Sequence, residues 1–226
     1  MSDSSFCKSI GYKVLMALSG FFLMFFLLQH LTINLLSVFK EDMFNEVSHF
    51  MGTNLLVQFL LQPILIFAVV FHFVMGIILE YRNNKAREIG YAYNKPSTNS
   101  NWMSRNMVIS GLTILAFLIL HFIDFWIPEI STKYIAGDMS GKLSSGDFRY
   151  YHELQEKFVS IERVLAYVVA FVLLSLHLMH GFQSSFQSVG FKKSNNAIIL
   201  SKLSYIFAII VPAGFIFIAL FHFLNH

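Results

Sequence analysis

Cysteine is almost absent from this sequence, which limits the ways in which the chain can hold a cofactor. The single residue, Cys7, excludes a disulfide bond within the chain. Covalent haem attachment through C-x-x-C-H and iron–sulfur ligation by clustered cysteines are excluded as well. Any redox cofactor must therefore be held by histidine and by packing, and the sequence contains nine histidines.

Charged residues are also scarce, at 13% of 226 residues, whereas hydrophobic residues make up 56% and the mean hydropathy is +0.61. A water-soluble domain of this size could not bury so much apolar surface. A membrane-spanning helix needs about 20 apolar residues. Five segments satisfy this requirement: about 15–38, 56–80, 107–128, 163–187 and 203–224. We therefore predict an all-α integral membrane protein, with residues 1–226 as one domain and the first four helices forming a cofactor-binding bundle.

The basic residues are distributed unevenly between the two sides of this predicted membrane protein. With the N-terminus in the cytoplasm, that side carries ten of the sixteen Lys and Arg but only three of the thirteen acids. Short connections rich in Lys and Arg stay in the cytoplasm, so we predict a cytoplasmic N-terminus and a C-terminus outside. The basic connection 81–106 is suited equally to a protein partner and to lipid headgroups. The long connection 129–162 is predicted to lie outside, with helical character over 150–160.

Histidines interrupt four of the five apolar segments. The first three contain one each, at His30, His72 and His121, and the fourth contains His177 and His180. A titratable side chain inside a membrane is costly and therefore indicates a function. A lone membrane histidine is often a hydrogen-bonded packing residue, but one on each of four neighbouring helices favours metal cofactors, and above all haem.

An internal repeat pairs the histidines of the first and third segments. A Ser-Gly dipeptide that ends at Gly20 is separated from His30 by nine residues, and one that ends at Gly111 is separated from His121 by the same number. At 1.5 Å rise per residue, both histidines lie roughly 22 Å from the cytoplasmic ends of their helices. We predict that they ligate one cofactor towards the outer surface.

The second and fourth segments share a different spacing, H-x3-G, at His72-Gly76 and His177-Gly181. Both segments run inward, which places these histidines about 12–15 Å from the cytoplasmic side and pairs them at a second level. His180 follows His177 by three residues, and three roles stay open for it. It could bind a haem propionate, bind a quinone, or reach the membrane interface.

Small residues near the histidines are candidates for surfaces that contact a cofactor. Gly76, Gly181 and Ser184 lie along the helix faces of the inner histidines, where a small side chain lets a flat porphyrin approach the backbone. Gly20 and Gly111 lie about 15 Å inward of the outer histidines, at the level of the inner pair. Ordinary small-residue helix packing explains these glycines equally well.

Short motifs along nearly the whole chain point to one family. They are Gln29-His30-Leu31 with Asn34, Phe44-Asn45-x3-His49-Phe50-Met51, His72 with Gly76, and the stretch 177–190. With these motifs the chain resembles the dihaem cytochrome b subunits of succinate dehydrogenases and fumarate reductases. It is most similar to their five-helix, single-chain type, the b558 family.

The resemblance implies two haem b groups, with His30 and His121 ligating the outer iron and His72 and His177 the inner iron. It also implies that the subunit lies in a bacterial cytoplasmic membrane and anchors a flavoprotein and an iron–sulfur protein on the cytoplasmic side. In such complexes electrons pass between the iron–sulfur partner and menaquinone through the two haems. The direction of the reaction and the oligomeric state stay open.

Residues for quinone binding are less well defined. Asn34, His49 and Asp124 lie near the outer ends of the helices or in the outer connection, and each is also explained as a surface or interfacial residue. His222 and His226, at the outer end of the fifth segment, are sufficiently explained by solvation.

Two other functions remain as alternatives. One is the cytochrome b of a membrane-bound hydrogenase or formate dehydrogenase, and the other is a transporter or haem chaperone that binds haem transiently. The sequence contains no nucleotide-binding loop and no nucleic-acid signature.

Overall fold

The computed structural model describes residues 3–85, 107–191 and 196–226. In these ranges the chain is almost entirely helical, and it contains no β-strand beyond an isolated bridge between Lys142 and Phe148. The all-α prediction is therefore confirmed. Most of the basic connection 81–106, with Lys192 and Lys193, lies outside the described residues.

Seven α-helices of eight or more residues follow one another in the described ranges, and two of them are extended by π-helical turns. They are α1 (Asp3–Phe39), α2 (Glu41–Thr53), α3 (Gln62–Lys85), α4 (Met107–His121), α5 (Tyr150–Lys157), α6 (Ile161–Ser188) and α7 (Ala197–Leu224). A π-helical turn over Val57–Leu61 precedes α3. Beyond α4, the chain continues as the turns Phe122–Trp126, Ile127–Ile130 and Ser131–Ile135. The helix predicted over 150–160 corresponds to α5.

Five helical stretches are long and apolar enough to cross a membrane, as the sequence predicts. They are Ile10–Phe39, Val57–Asn83, Met107–Ile135, Ile161–Ser188 and Ala197–Leu224. Each extends beyond its predicted apolar segment at one or both ends, because helical hydrogen bonding continues into the polar flanks. The third stretch even passes Pro128, which lies in the first turn of Ile127–Ile130, where proline is tolerated. The chain is a multi-pass helical membrane protein.

The apolar core lies where α1, α6 and α7 meet, so the fifth spanning helix is an integral part of the bundle. Leu31, Tyr167 and Phe215 belong to the main cluster of buried residues there. Helix α7 approaches α1 closely at Gly214, since a Cβ on this glycine would lie 2.9 Å from Leu31 Cδ1. It is also tied to α6 by the fully buried Ser204, whose Oγ donates to the carbonyl of Met179 at 3.1 Å.

A network of buried charges joins the end of the third spanning stretch to α2 and α5. Lys133 pairs with Glu129 and donates to the carbonyl of Gly52. Arg149 pairs with Glu129 and donates to Glu153 Oε1 at 2.6 Å. Burial disfavours the charged form of Arg149, but hydrogen bonds and the charges of the two glutamates outweigh it and raise its pKa above the usual value. Arg149 thus stays charged although it is only 4% exposed.

Replacing one buried cation of this network is expected to destabilise the fold. The substitution Arg149→Met leaves Glu129 and Glu153 without a shared partner and costs about 2 kcal/mol, less than a fully buried pair because Glu153 is partly exposed. For a chain of this size the midpoint of thermal unfolding falls by about 4–8 °C, measured in detergent. The control is Lys142→Met, which removes an exposed cation on the same connection. Equal midpoints for both variants would refute the structural role of the network.

Candidate functional site

The structure brings the four predicted histidines together in two pairs, each formed across two helices. His30 of α1 and His121 of α4 have ring centroids 5.8 Å apart, with planes at 85°. His72 of α3 and His177 of α6 have centroids 6.5 Å apart, with planes at 63°. These are the same two pairs that the sequence spacings predict, and every ring comes from a different spanning helix.

A serine hydroxyl fixes the orientation of His72. Ser19 Oγ donates its only hydrogen to the carbonyl of Met16 at 2.8 Å and lies 3.0 Å from His72 Nδ1. Because that hydrogen is already committed, the hydroxyl can only accept from the ring, so Nδ1 carries the proton. The lone pair of His72 is then on Nε2, which is the nitrogen left for a ligand.

The same arrangement occurs a second time at His177. Ser110 Oγ donates to the carbonyl of Met107 at 3.0 Å and lies 3.1 Å from His177 Nδ1. By the same reasoning, Nδ1 of His177 is a donor and its Nε2 is free. The serines belong to the two Ser-Gly dipeptides of the internal repeat, so the repeat supplies both the outer histidines and the hydroxyls that hold the inner ones.

The glycines of these dipeptides lie against the inner rings. A Cβ on Gly20 would be 3.6 Å from His72 Cε1 and 3.0 Å from Ser185 Oγ. A Cβ on Gly111 would be 3.8 Å from His177 Cε1. Gly20 precedes His30 by ten residues, or about 15 Å along the helix. The inner and outer pairs therefore lie at levels about 15 Å apart along α1.

The other two predicted glycines have matching neighbours. A Cβ on Gly76 would be 3.6 Å from the methyl carbon of Met16, and one on Gly181 would be 3.5 Å from that of Met107. Gly76 thus packs against Met16, and Gly181 packs against Met107. The carbonyls of these two methionines accept the hydrogen bonds of Ser19 and Ser110. Half-buried His180 lies on α6 outside both ring pairs.

A cavity of about 560 Å³ opens beside the inner pair, at the end of the bundle predicted to face the cytoplasm. Helix α1 contributes Lys13 and Met16 to its wall, and α6 contributes Ser184 and Ser185. A Cβ on Gly20 would lie 3.0 Å from Ser185 Oγ and 3.6 Å from His72 Cε1. Because Ser185 lines the cavity, the cavity reaches the level of the inner rings. Ser184 thus faces this cavity.

Aromatic side chains surround the outer pair. The ring of His30 stacks on Phe26 at 5.4 Å, and that of His121 lies 5.2 Å from Phe125. In the part of the chain that the structure describes, the buried Nδ1 of His121 has no hydrogen-bond partner. Asn34 Nδ2 lies 3.4 Å from His30 Nδ1 but donates to the carbonyl of His30 at 2.8 Å. The outer rings therefore lack the hydroxyl acceptors that hold the inner ones.

Asp124, a candidate for quinone binding, is buried and engaged within the protein. It is 3% exposed, forms an ion pair with Arg163, and accepts from the hydroxyl of Tyr167 at 2.8 Å. The carboxylate is therefore neither a surface group nor an unpaired proton acceptor.

His49, another quinone candidate, packs against the outer connection. Its ring lies 4.8 Å from that of Phe148, and its Nδ1 is 3.3 Å from the hydroxyl of Tyr150. Burial, followed by the charge of Glu129, raises the pKa of Tyr150 to about 12. Since the phenol stays protonated at neutral pH, it is available to donate to His49.

His222 was not assigned a role from the sequence, and its explanation by solvation is wrong. Its side chain is fully buried, and its Nε2 donates to Ser37 Oγ at 2.9 Å, while that hydroxyl donates to the carbonyl of Asn34. The ring of Tyr151 lies 5.5 Å away. The helical period carries the signal, since His222 follows the buried Ile218 by one turn.

A second cleft, of about 190 Å³, lies between the start of α3 and the π-helical end of the third spanning stretch. Gln58, Gln62, Trp126 and Tyr134 contribute to its wall, and the hydroxyl of Tyr134 donates to Gln58 Oε1. Sequence reasoning missed this cleft, although two glutamines spaced by four residues in an apolar segment are a recognisable signal.

Each pair offers two imidazole nitrogens to a metal. A metal cofactor bound there would have to carry its remaining ligands itself. In residues 3–85, 107–191 and 196–226, no group of three or more His, Cys, Asp or Glu is placed to hold a metal ion. Two metal–nitrogen bonds of ~2 Å each would separate facing ring centroids by about 6 Å. The observed values of 5.8 and 6.5 Å lie on either side of this separation.

Fold and geometry together define a class: an all-helical, multi-pass membrane protein with two histidine pairs at different levels of its bundle. No protein-family model, curated protein or solved structure matches the chain. Its function must therefore be inferred from its own residues.

Filling the space beside an inner histidine is expected to disturb the bundle. In Gly20→Leu the new side chain must displace Ser185 or the ring of His72, at a cost of about 1–3 kcal/mol. Gly11→Leu on the same helix is the matched control, because a Cβ there meets no atom within 4 Å. Thermal unfolding in detergent compares the two variants, and equal midpoints would contradict the close packing at Gly20.

Proposed function

We propose that this chain is the membrane-anchoring dihaem cytochrome b subunit of a succinate dehydrogenase or fumarate reductase. The observation that supports it best is the placement of four imidazoles from four spanning helices in two close pairs. Nothing in ordinary helix packing requires two imidazoles to meet twice, about 15 Å apart along the helices. The family resemblance supplies the identity of the complex.

In this proposal His30 and His121 hold one haem iron, and His72 and His177 hold the other. A bound haem supplies one-electron redox chemistry, and two imidazole ligands leave its iron no open position, which favours electron transfer over oxygen chemistry. The protein's own contribution is to keep the two rings of each pair close together. The hydroxyls of Ser19 and Ser110 hold the rings of the inner pair, and the surrounding aromatic side chains hold those of the outer pair.

The proposed protein partners, a flavoprotein and an iron–sulfur protein, would dock at the end of the bundle that contains Lys13. Exposed Arg82, Lys85 and Lys202 lie in the described helices at the same predicted side. The guanidinium of Arg82 lies 4.3 Å above the ring of Tyr12, which leaves a positive surface near the inner pair. An acidic partner surface would be attracted there.

The proposed quinone partner would bind in the cleft of Gln58, Gln62, Trp126 and Tyr134. Amide groups can donate to quinone carbonyls, and aromatic rings can stack on a flat headgroup. Asn34, Asp124 and His49 make contacts within the protein, whereas this cleft is open. Its position at the end of the bundle opposite Lys13 agrees with electron exchange on the outer side.

Haem counting in single variants tests the assignment of the iron ligands. We expect two haems per chain in the wild type and one in each of His30→Ala, His72→Ala, His121→Ala and His177→Ala, because each variant lacks one of the two imidazoles that would hold the haem. His180→Ala and His152→Ala are controls that keep both haems, since the former lies outside the pairs and the latter is exposed on α5. The readout is the haem-to-protein ratio after purification.

A colourless wild-type preparation would refute the cytochrome assignment itself. Loss of a haem in His180→Ala with none lost in His177→Ala would instead reassign the ligand on α6. Co-purification of a flavin-containing subunit separates the succinate enzyme from a hydrogenase-type complex, in which that subunit is absent.

Binding of quinone in the cleft is tested by replacing its amides. The double substitution Gln58→Leu and Gln62→Leu removes the polar groups and is expected to raise the KM for a soluble naphthoquinol about tenfold, as for the loss of one buried hydrogen bond. Gln155→Leu is the matched control, because it removes an amide that donates to the carbonyl of Asn225, outside the cleft. The rate of haem reduction by the quinol is measured, and an unchanged KM in the double variant excludes the cleft.

A further inference from the structure

The hydroxyls of Ser19 and Ser110 differ from those of two threonines on the same helices. Thr32 of α1 and Thr113 of α4 also donate to carbonyls one turn earlier, at 2.9 and 3.1 Å, but Thr32 is exposed and Thr113 is half-buried. Bonding to the helix backbone is therefore common to all four residues, whereas only the two serines among them contact a histidine. Ser37 of α1 makes the same kind of contact with His222, which belongs to neither ring pair. The serines are 9% and 8% exposed, so water does not compete freely for their lone pairs.

The repetition of the contact argues that it is not incidental. Each serine occupies the same position in the repeat, donates to the carbonyl three residues earlier, and accepts from Nδ1 of an inner histidine. The two distances to the ring nitrogens, 3.0 and 3.1 Å, agree closely. At the outer pair, by contrast, the described contacts give neither Nδ1 a hydroxyl acceptor.

We propose that Ser19 and Ser110 are positioning residues that fix the tautomer of His72 and His177 and make them stronger electron donors to the inner haem. This inference rests on the proposed function. An imidazole that donates a hydrogen bond from Nδ1 is more basic at Nε2. A more basic ligand stabilises Fe(III) relative to Fe(II), because the oxidised iron carries the greater positive charge. The serines therefore lower the reduction potential of the inner haem.

The test replaces each serine and measures a potential rather than an activity. Ser19→Ala and Ser110→Ala are compared with Thr32→Val and Thr113→Val, which remove a hydroxyl of similar backbone bonding from the same helices. Ser19→Thr and Ser110→Thr keep a hydroxyl and serve as conservative variants. The inner haem is identified as the spectral component that is missing from His72→Ala, and both haems are titrated optically in the purified full-length protein.

We expect each alanine variant to keep two haems and to shift the inner-haem equilibrium towards Fe(II) by about tenfold, or ~59 mV for one electron. The outer haem, both valine controls and both threonine variants keep the wild-type potentials. A shift in the electron paramagnetic resonance of the inner ferric haem should accompany the change in potential, because ligand basicity and ring orientation both affect it.

Each other outcome has a defined meaning. Two haems with unchanged potentials in both alanine variants would overturn the inference while leaving the dihaem assignment intact. If an alanine variant loses the inner haem, retention with a normal potential in the threonine variant supports positioning by the hydroxyl, whereas loss in both variants overturns it. A wild-type protein without haem refutes the proposed function, which is a distinct result.

Discussion

A buried imidazole in an apolar helix bundle is costly unless a ring nitrogen is engaged, and much of this structure follows from that constraint. At the inner pair, hydroxyls that donate to their own helix backbone accept from Nδ1 of each ring. His222 contacts Ser37 through Nε2, whereas its buried Nδ1, like that of His121, has no hydrogen-bond partner among the described residues. The recurrence of one device, a serine bonded to its own helix and facing a histidine of another, ties α1 to α3, α4 to α6, and α1 to α7.

The bundle also has to keep these rings apart while packing tightly elsewhere. The core of α1, α6 and α7 achieves the tight packing with small contacts such as Gly214 against Leu31. The glycines beside the inner rings also allow close approach, since a Cβ on Gly20 would lie 3.0 Å from Ser185 Oγ and 3.6 Å from His72 Cε1. Glycine thus brings helix α1 close to a leucine side chain at one level of the bundle and lets an imidazole pack against its backbone at another.

Sequence reasoning was effective where the signal is local or periodic. Hydrophobic length predicted all five spanning helices, and the two spacings around His30 and His72 predicted which rings would meet. It was ineffective where tertiary contact decides the outcome. Buried Lys133 donates to the carbonyl of Gly52, which lies 81 positions earlier in the chain, and buried Asp124 forms an ion pair with Arg163. His222 looked like an end residue because its burial depends on side chains of α1 and α5, although its position one turn after Ile218 places it on the buried face of α7.

The internal repeat divides the paired histidines between two halves of the chain, since α1 and α3 provide one ring of each pair and α4 and α6 the other. Synthesis proceeds from the N-terminus, and segments fold as they emerge. A nascent chain that has been synthesised to the end of α4 contains both histidines of the outer pair. Of the inner pair it contains His72 but not His177, which lies on α6. The outer ring pair is consequently complete in the growing chain before the inner pair, which lies nearer the predicted cytoplasmic side.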